Sequence, residues 1–192
     1  MIFMILATNN YNKLKEIKDI LNDYEIKSLR DVQINIDIKE DKDSFYDNAL
    51  TKAKTIFEIT KESVIADDSG LEIHALNNWP GVLSSRFLGS NKSDEERNLA
   101  ILKKMENINN RKASFICILV YYDGNNIIVG KGELVGNITY ELRGNNGFGF
   151  DQIFELDNGK TLAELNNEEK NRISARYLAS IDLLKKLKDY QG

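Results

Sequence analysis

Two adjacent carboxylates at positions 67 and 68 are the residues with the clearest potential for chemistry. Asp67 and Asp68 follow the apolar residues 64–66, which are typical of the end of a buried strand, and Ser69 and Gly70 come next. Because side chains alternate sides along a strand, both carboxylates cannot point into the core, and at a strand end at least one can face a cleft. Carboxylate oxygens suit a hard cation such as Mg²⁺. A polar turn capped by Asp and Ser would give the same pattern, so these residues alone leave both interpretations open.

A possible phosphate site follows the first predicted strand. Residues 2–7 are apolar, Asn10 is a plausible helix N-cap, and Lys13 falls in the first turn of a helix that runs to about residue 21. Backbone N–H groups at a helix N-terminus attract anions, and a lysine adds a charge suited to phosphate. A capped helix with a solvated lysine is the simpler interpretation of this segment alone. The GxxxxGK pattern of a P-loop is absent.

A glycine-rich stretch at residues 144–151 is the second unusual feature. It combines three glycines, two phenylalanines and an aspartate, which no regular element accommodates. Glycine permits close approach of a ligand to the backbone, and an aromatic ring offers a flat surface on which a base can stack. A loop that packs its own aromatic residues is the alternative. Further on, Lys170, Arg172 and Arg176 at the start of a predicted helix oppose its dipole, which favours a local role. A solvated basic face is the alternative.

Composition and length exclude several classes of function. A chain of 192 residues with 42% hydrophobic and 29% charged residues fits one globular domain over residues 1–192. The net charge of −4 argues against a nucleic-acid partner, which usually requires a basic face. His74 is the only histidine, so His-rich metal sites and His-based triads are excluded and carboxylate chemistry is favoured. The single cysteine, Cys117, is predicted to be a core residue that forms no intrachain disulfide.

No segment indicates a membrane partner or a leader peptide. The apolar N-terminus lacks a basic n-region, and no apolar run approaches the length of a membrane span. We therefore expect a cytoplasmic protein.

The remaining patterns predict a mixed α/β fold: a twisted mixed sheet with a long antiparallel meander, in two lobes around a central cleft. The predicted strands are residues 2–7, 25–28, 34–38, 64–66, 113–122 and 127–135, with residues 138–140 continuing the meander. The predicted helices run to about residue 21, from Asp43 or Ser44 to about 60, from about 94 to 105, and from 166 to about 188. The core face predicted for the last helix comprises Ile173, Tyr177, Ile181 and Leu184.

Six blocks in this order resemble the Ham1/inosine triphosphate pyrophosphatase family, over about residues 2–185. They are Thr8-Asn9-Asn10-x-x-Lys13-x-x-Glu16, Asn48-Ala49-x-x-Lys52-Ala53, Ala66-Asp67-Asp68-Ser69-Gly70, Pro80-Gly81-x-x-Ser84-x-Arg86, Gly147-Phe148-Gly149-Phe150-Asp151-x-Ile153-Phe154, and Ala163-Glu164-Leu165 through Glu169-Lys170-x-x-Ile173-Ser174-x-Arg176. Each block alone is a weak indication of the family, but six blocks in the same order are specific for it.

The resemblance implies an elongated α/β homodimer that hydrolyses non-canonical purine nucleoside triphosphates. The expected reaction is Mg²⁺-dependent cleavage of ITP, dITP or XTP to the monophosphate and pyrophosphate. Asp68 matches the family's metal-binding, proton-accepting aspartate, Asp67 supports it, and Glu40 lies near the metal-ligand glutamate.

The same resemblance implies the substrate contacts. Thr8, Asn9, Asn10 and Lys13 match the triphosphate contacts, and Lys13, Lys52 and Arg86 supply positive charge. The other matches on the substrate side are Ser69, Phe148, Gly149, Phe150, Asp151, Lys170 and Arg176.

Three residues depart from the family pattern. Ala175 replaces a histidine, Phe150 a tyrosine and Gln152 a proline. The first two bear on base recognition, so we hypothesise that triphosphate cleavage is retained while purine selectivity is weakened or altered.

Two other functions remain open. One is a Maf-like pyrophosphatase with a different base preference, against which the blocks at residues 67–70 and 147–151 argue. The other is a non-catalytic nucleotide-binding module, against which the joint presence of Lys13, Asp68 and Lys170 argues.

Overall fold

The computed structural model describes residues 2–192 and has a mixed α/β architecture. The strands are β1 (Ile2–Leu6), β2 (Tyr24–Ser28), β3 (Val64–Ile73), β4 (Trp79–Pro80), β5 (Lys112–Tyr122), β6 (Ile127–Ile138) and β7 (Phe154–Glu155). The α-helices are α1 (Tyr11–Ile20), α2 (Phe45–Thr60), α3 (Asp94–Lys104), α4 (Asn167–Asn171) and α5 (Ala175–Gln191). Short 3-10 helices lie at His74–Leu76, Gly81–Leu83, Asp151–Ile153 and Leu162–Glu164.

The strands form one mixed sheet in the order β2-β1-β3-β5-β6-β7, with β4 paired to β3. β1 pairs in parallel with β2 and β3, whereas β4 and β7 pair antiparallel to their neighbours. β5 and β6 are neighbours joined by residues 123–126, a connection short enough only for an antiparallel hairpin. The predicted mixed sheet with a central hairpin is therefore confirmed.

The chain divides into two compact units. Unit 1 comprises the chain up to residue 69 together with residues 117–132 and 175–192, and unit 2 comprises residues 70–116 and 133–174. The fully buried apolar side chains of unit 1 include Met4, Leu6, Ile17, Ile56, Ile65, Leu119 and Leu183. Those of unit 2 include Leu71, Ile73, Ile101, Met105, Ile153 and Phe154. The single two-lobed domain and its central cleft stay predictions.

The helix starts lie where the capping residues predicted them. The Asn10 side chain accepts hydrogen bonds from the backbone N–H groups of Asn12 and Lys13. Ser44 caps α2. Capping boxes begin α3 and α4, formed by Ser93 with Glu96 and by Asn166 with Glu169. These contacts are local in sequence, which is why the sequence predicts them well.

Residues 34–38 do not form the predicted strand. Ile34, Ile36 and Ile38 are each more buried than the residues between them, so the alternation is real. The segment nevertheless has no regular secondary structure, and the Ile34 N–H bonds the Leu29 carbonyl in a turn. Alternation reports one-sided burial of an extended chain, and it does not by itself supply a neighbouring strand.

The boundaries of β3 and β6 correct two further predictions. β3 does not stop at Ala66 but continues through both carboxylates to Ile73. β6 runs on to Ile138, and β7, not residues 138–140, supplies the next strand of the meander. A Cβ on Gly136 would lie 2.5 Å from the Glu155 carbonyl oxygen, so this glycine marks close approach of β7 and not a turn.

The predicted helix from residue 166 is two helices, and its predicted core face is wrong. The chain leaves helical structure between Asn171 and Ala175. The buried residues of α5 are Ala175, Ala179, Ser180, Leu183 and Leu187. Small residues face β6 because Gly130 and Gly132 allow backbone contact. Cβ atoms there would lie 2.4 Å from the Ala179 oxygen and 1.9 Å from the Ala175 oxygen.

Other sequence predictions can be checked directly. Cys117 is buried and free, as predicted. His74 is exposed, and its Nε2 lies 3.2 Å from the Ser114 hydroxyl. Within residues 2–192, no helix has both the length and the apolarity needed to cross a bilayer.

Candidate active site

Asp67 is a buried carboxylate held in the ionised form. Its side chain is 1% exposed, and its Oδ2 accepts a 2.7 Å charged hydrogen bond from Lys13 Nζ. Burial acts to raise the pKa of Asp67, but three positive charges outweigh it and hold this pKa well below its usual range. These charges belong to Lys13, Lys52 and Arg176. A carboxylate held this firmly as an anion orients cations and is a poor proton acceptor.

Asp68, the next residue of β3, has the opposite electrostatic environment. It is 6% exposed, and its Oδ2 accepts a 2.9 Å hydrogen bond from Asn48 Nδ2. Burial and then the negative charge of Glu40 raise the pKa of Asp68 to about 6. A carboxyl group that titrates near neutral pH suits general-base catalysis. The two carboxylates on opposite sides of one strand are therefore chemically distinct.

Asn48 and Lys52 lie one turn apart on α2, and both are buried against β3 instead of facing water. Lys52 Nζ lies 2.5 Å from Glu40 Oε1 and also donates to the backbone carbonyl of Asp67. Burial acts to lower the pKa of Lys52, but the charges of Asp67 and Glu40 outweigh it and raise this pKa. Lys52 therefore stays protonated and links Glu40 to β3.

The donor set around Asp68 fits a magnesium ion. Lys52 Nζ contacts both Glu40 Oε1 and the carbonyl oxygen of Asp67, the residue before Asp68, so the Glu40 carboxylate lies near this part of β3. No cluster of three or more potential His, Cys, Asp or Glu ligands is found in residues 2–192. Mg²⁺ does not require one, because it is commonly bound by one or two carboxylates together with waters and substrate phosphates. The ligation by Asp68 and Glu40 stays a prediction.

Arg176 extends the charged cluster from α5. Its Nη1 lies 2.5 Å from Glu16 Oε2, and both side chains are largely buried. Arg176 Nε is buried and finds no acceptor in the part of the chain that the structure describes. The sequence predicted Arg176 as a substrate contact but gave no role to Glu16, its ion-pair partner. The position of Glu16 three residues after Lys13 on α1 is the signal that could have indicated it.

The glycine-rich loop of unit 2 is built around a second lysine–aspartate pair. Lys170 Nζ lies 2.5 Å from Asp151 Oδ2, which also accepts a 2.9 Å hydrogen bond from the Phe148 N–H. The same ammonium lies 4.2 Å from the centre of the Phe148 ring. Phe148 is 40% exposed, so its ring remains accessible for stacking.

Phe150 differs from Phe148 in being a core residue. It is 8% exposed, and its ring centre lies 6.2 Å from that of Phe87 and 6.4 Å from that of Phe115. The alternative of a loop that packs its own aromatic residues thus holds for Phe150 and not for Phe148. The structure gives Phe150 a packing role, and its predicted role as a base contact stays a prediction.

The other predicted contacts are distributed as follows. Thr8 and Asn9 form the turn between β1 and α1, where Thr8 Oγ1 accepts a hydrogen bond from the N–H of the capping residue Asn10. Ser69 is half-buried within β3. Arg86 lies in unit 2, where its guanidinium donates to the Val82 carbonyl at 3.3 Å. The positive charge that Arg86 is predicted to supply to the substrate stays a prediction.

Comparison with known proteins identifies the family. The Ham1 family profile matches residues 4–187. The chain is 42% identical to a protein named dITP/XTP pyrophosphatase from Clostridium tetani, covering 97% of this chain and 96% of that one. It is 44% identical to another of that name from Caldanaerobacter subterraneus, covering 99% and 96%.

Solved structures agree with this assignment. The fold matches a HAM1 protein from Coxiella burnetii with a TM-score of 0.93 and 36% identity, over 98% of this chain and 100% of that chain. It matches the Staphylococcus aureus Ham1 protein with a TM-score of 0.91 and 36% identity, over 99% and 100%. The chain belongs to the Ham1 family.

Proposed function

We propose that this protein is a nucleoside triphosphate pyrophosphatase that hydrolyses ITP, dITP and XTP to the monophosphate and pyrophosphate. The observation that carries the proposal is the pair of dissimilar carboxylates on β3. Asp67 is fixed as an anion against Lys13, and Asp68 has a pKa of about 6. The dITP/XTP pyrophosphatase names of relatives at 42% and 44% identity support the substrate class.

Hydrolysis of the α–β phosphoanhydride requires a positioned water and neutralisation of phosphate charge. Asp68 accepts the proton of the attacking water, so no covalent nucleophile is needed. Lys13 lies in the first turn of α1, where its ammonium and the positive end of the helix dipole favour a phosphate. Asp67 orients Lys13 by holding its ammonium at 2.7 Å.

Asp68 and Glu40 would hold Mg²⁺. The ion would offset phosphate charge and align the triphosphate with the water. Lys52 keeps Glu40 ordered through their 2.5 Å ion pair. Without a cation, Glu40 and Asp68 repel each other, which is consistent with the raised pKa of Asp68.

The accessible ring of Phe148 is proposed to stack on the base. Lys170 lies against this ring and is paired with Asp151, so the loop combines an aromatic surface with fixed charges. The homodimer, the cytoplasmic location and the absence of a nucleic-acid partner stay predictions.

A pyrophosphate-release assay tests the proposal. The purified protein is assayed with ITP, dITP, XTP, GTP and dTTP, with Mg²⁺ and with a chelator, and both products are quantified. We expect equimolar monophosphate and pyrophosphate, and no turnover in the chelator. Release of single phosphates, or nucleotide binding without turnover, would contradict it, and the latter would favour a non-catalytic binding module.

The same substrate panel tests selectivity. The departure at Ala175 predicts a weakened or altered preference among purines, whereas the packed position of Phe150 predicts little contribution from that residue. An undiminished strong preference for ITP and XTP over GTP would contradict that hypothesis, and a preference for dTTP would favour the Maf-like alternative.

A further inference from the structure

Helix α3 holds one residue of the glycine-rich loop through two side chains. Asp94 Oδ2 accepts a 2.7 Å hydrogen bond from the Gly149 N–H. Asn98 Nδ2 donates a 3.0 Å hydrogen bond to the Gly149 carbonyl oxygen. The two side chains are four residues apart and therefore neighbours on one helix face, so they hold both polar groups of a single loop residue. We call Asp94 and Asn98 the α3 clamp.

The loop needs such a clamp because its backbone is irregular. Gly147 and Gly149 have positive φ angles of 77° and 63°. A Cβ on Gly147 would lie 2.0 Å from Asp151 Oδ2, so the loop also folds tightly over that carboxylate. Gly149 directly follows Phe148, whose N–H is held by Asp151. The clamp and Asp151 thus fix the backbone on the two sides of Phe148.

The environment of Asn98 indicates that its amide is there to act on the loop. Asn98 is 0% exposed, yet its Oδ1 finds no donor anywhere in residues 2–192. A buried acceptor without a partner lowers the free energy of unfolding, a cost that leucine at this position would avoid. Leucine would, however, leave the Gly149 carbonyl without its donor.

We propose that Asp94 and Asn98 are positioning residues for base recognition. They hold Gly149 so that the exposed Phe148 ring is presented to the purine, and they do not touch the substrate themselves. The inference rests on the proposed function, since it assigns the α3 clamp to the base-binding step of that reaction. Loss of the clamp should therefore weaken substrate binding and spare the chemistry at Asp68.

Kinetics of clamp variants test the proposal. Asp94→Ala and Asn98→Ala should each raise the KM for ITP by about tenfold, the size expected for one lost hydrogen bond to a charged or buried group. The kcat should stay within about twofold, because a defect in binding the base leaves the chemical step intact. Asp94→Asn keeps an acceptor oxygen and should restore a KM near that of the wild type.

Control variants distinguish a loss of loop positioning from a general loss of folded structure. Glu95→Ala removes a neighbouring exposed charge in the first turn of α3 and should leave the KM unchanged. Asp94→Asn loses the same charge as Asp94→Ala, so any difference between them comes from the hydrogen bond and not from the helix dipole. Asp94 is exposed, so Asp94→Ala keeps the test valid even if Asn98→Ala fails to fold.

Amide hydrogen exchange gives a readout that does not depend on activity. The backbone amides of residues 147–151 should exchange faster in Asp94→Ala than in the wild type or Glu95→Ala. Unchanged exchange and unchanged KM would overturn the proposal, as would a fall in kcat at constant KM. If the wild type hydrolyses no nucleotide, the proposed function fails, while the exchange data still report whether the clamp orders the loop.

Discussion

The carboxylate cluster of unit 1 and the glycine-rich loop of unit 2 both contain a lysine paired with a buried aspartate, but they are built differently. Lys13 pairs with an aspartate inside a regular strand, whose backbone groups are already satisfied. Lys170 pairs with an aspartate in an irregular loop, where the same carboxylate also satisfies the backbone N–H of Phe148. The regular strand places the Asp67 and Asp68 carboxylates accurately, as catalysis requires. The loop has no regular backbone hydrogen bonding, so side chains such as Asp151 determine its conformation. Substitutions in the first region should change kcat, and those in the second should change KM.

The largest effect should follow from Asp68→Asn. Removal of a general base should lower kcat by about 100-fold or more, while nucleotide binding persists. The variant should not be less stable than the wild type, because a carboxyl group with a raised pKa destabilises the folded state when ionised. Rates of pyrophosphate release and the melting temperature at pH 8 measure both effects.

Asp67→Asn is the matched control within the same strand. It leaves the Lys13 ammonium without its carboxylate, so it should lower the melting temperature. If Asp68→Asn lowered the melting temperature and Asp67→Asn did not, the assignment of Asp67 as the structural anion and Asp68 as the general base would be contradicted.

The stability difference between wild type and Asp68→Asn should depend on pH in metal-free buffer. The folded-state pKa of about 6 exceeds the usual value, so ionisation of Asp68 costs stability as the pH rises from about 4 to 6. Relative to the variant, the wild type should lose up to about 3 kcal/mol of unfolding free energy across this window, calculated from the shift in pKa. Denaturant titrations at pH 4, 5, 6 and 7 measure it, and a constant difference would show that Asp68 does not titrate there.

Phe148→Ala should affect substrate binding more than turnover. Loss of a ring that stacks on a base should raise the KM for ITP by about tenfold with little change in kcat. Tyr140→Ala is a suitable control, because Tyr140 is also an exposed aromatic residue of unit 2. A selective fall in kcat would instead place Phe148 among the residues that support the chemical step.

The smallest effect is expected from Phe150→Tyr. The Phe150 ring is packed near Phe87 and Phe115, so a hydroxyl there would be buried and would not reach an exposed face. The ratio of kcat/KM for ITP over GTP should stay within about twofold, while the melting temperature falls because a buried hydroxyl needs a partner. A large change in the ratio would support the predicted role of Phe150 as a base contact.

The sequence predicts features that depend on near neighbours. Asn10, Ser93 and Asn166 cap helices through residues two or three positions away, and the β5–β6 hairpin follows from its turn. Residues 34–38 and the face of α5 were misjudged, because both depend on what the segment packs against. For α5 the informative residues were Gly130 and Gly132, which lie in a different element.

In the candidate site, too, the contacts that the sequence does not predict are those between residues far apart in the chain. The Asp67–Asp68 motif is visible in the sequence, but Lys13 lies 54 residues from its partner and Arg176 lies 160 residues from Glu16. These residues were assigned to one site because of the family resemblance, since their spacing in the sequence does not indicate that they lie together. The opposite pKa shifts of the two aspartates arise from burial, from positive charges on α1, α2 and α5, and from the negative charge of Glu40, which a linear pattern does not reveal.

The two glycines of β6 have a consequence for the electrostatics of Asp67. Any side chain at Gly132 would force α5 outward, and Arg176, the second residue of that helix, would be displaced with it. Part of the positive potential that keeps Asp67 ionised would then be lost. A position that carries no functional group thus affects the electrostatic environment of a carboxylate on another strand, and Gly132→Ala should weaken the hold on Asp67 as well as the packing of α5.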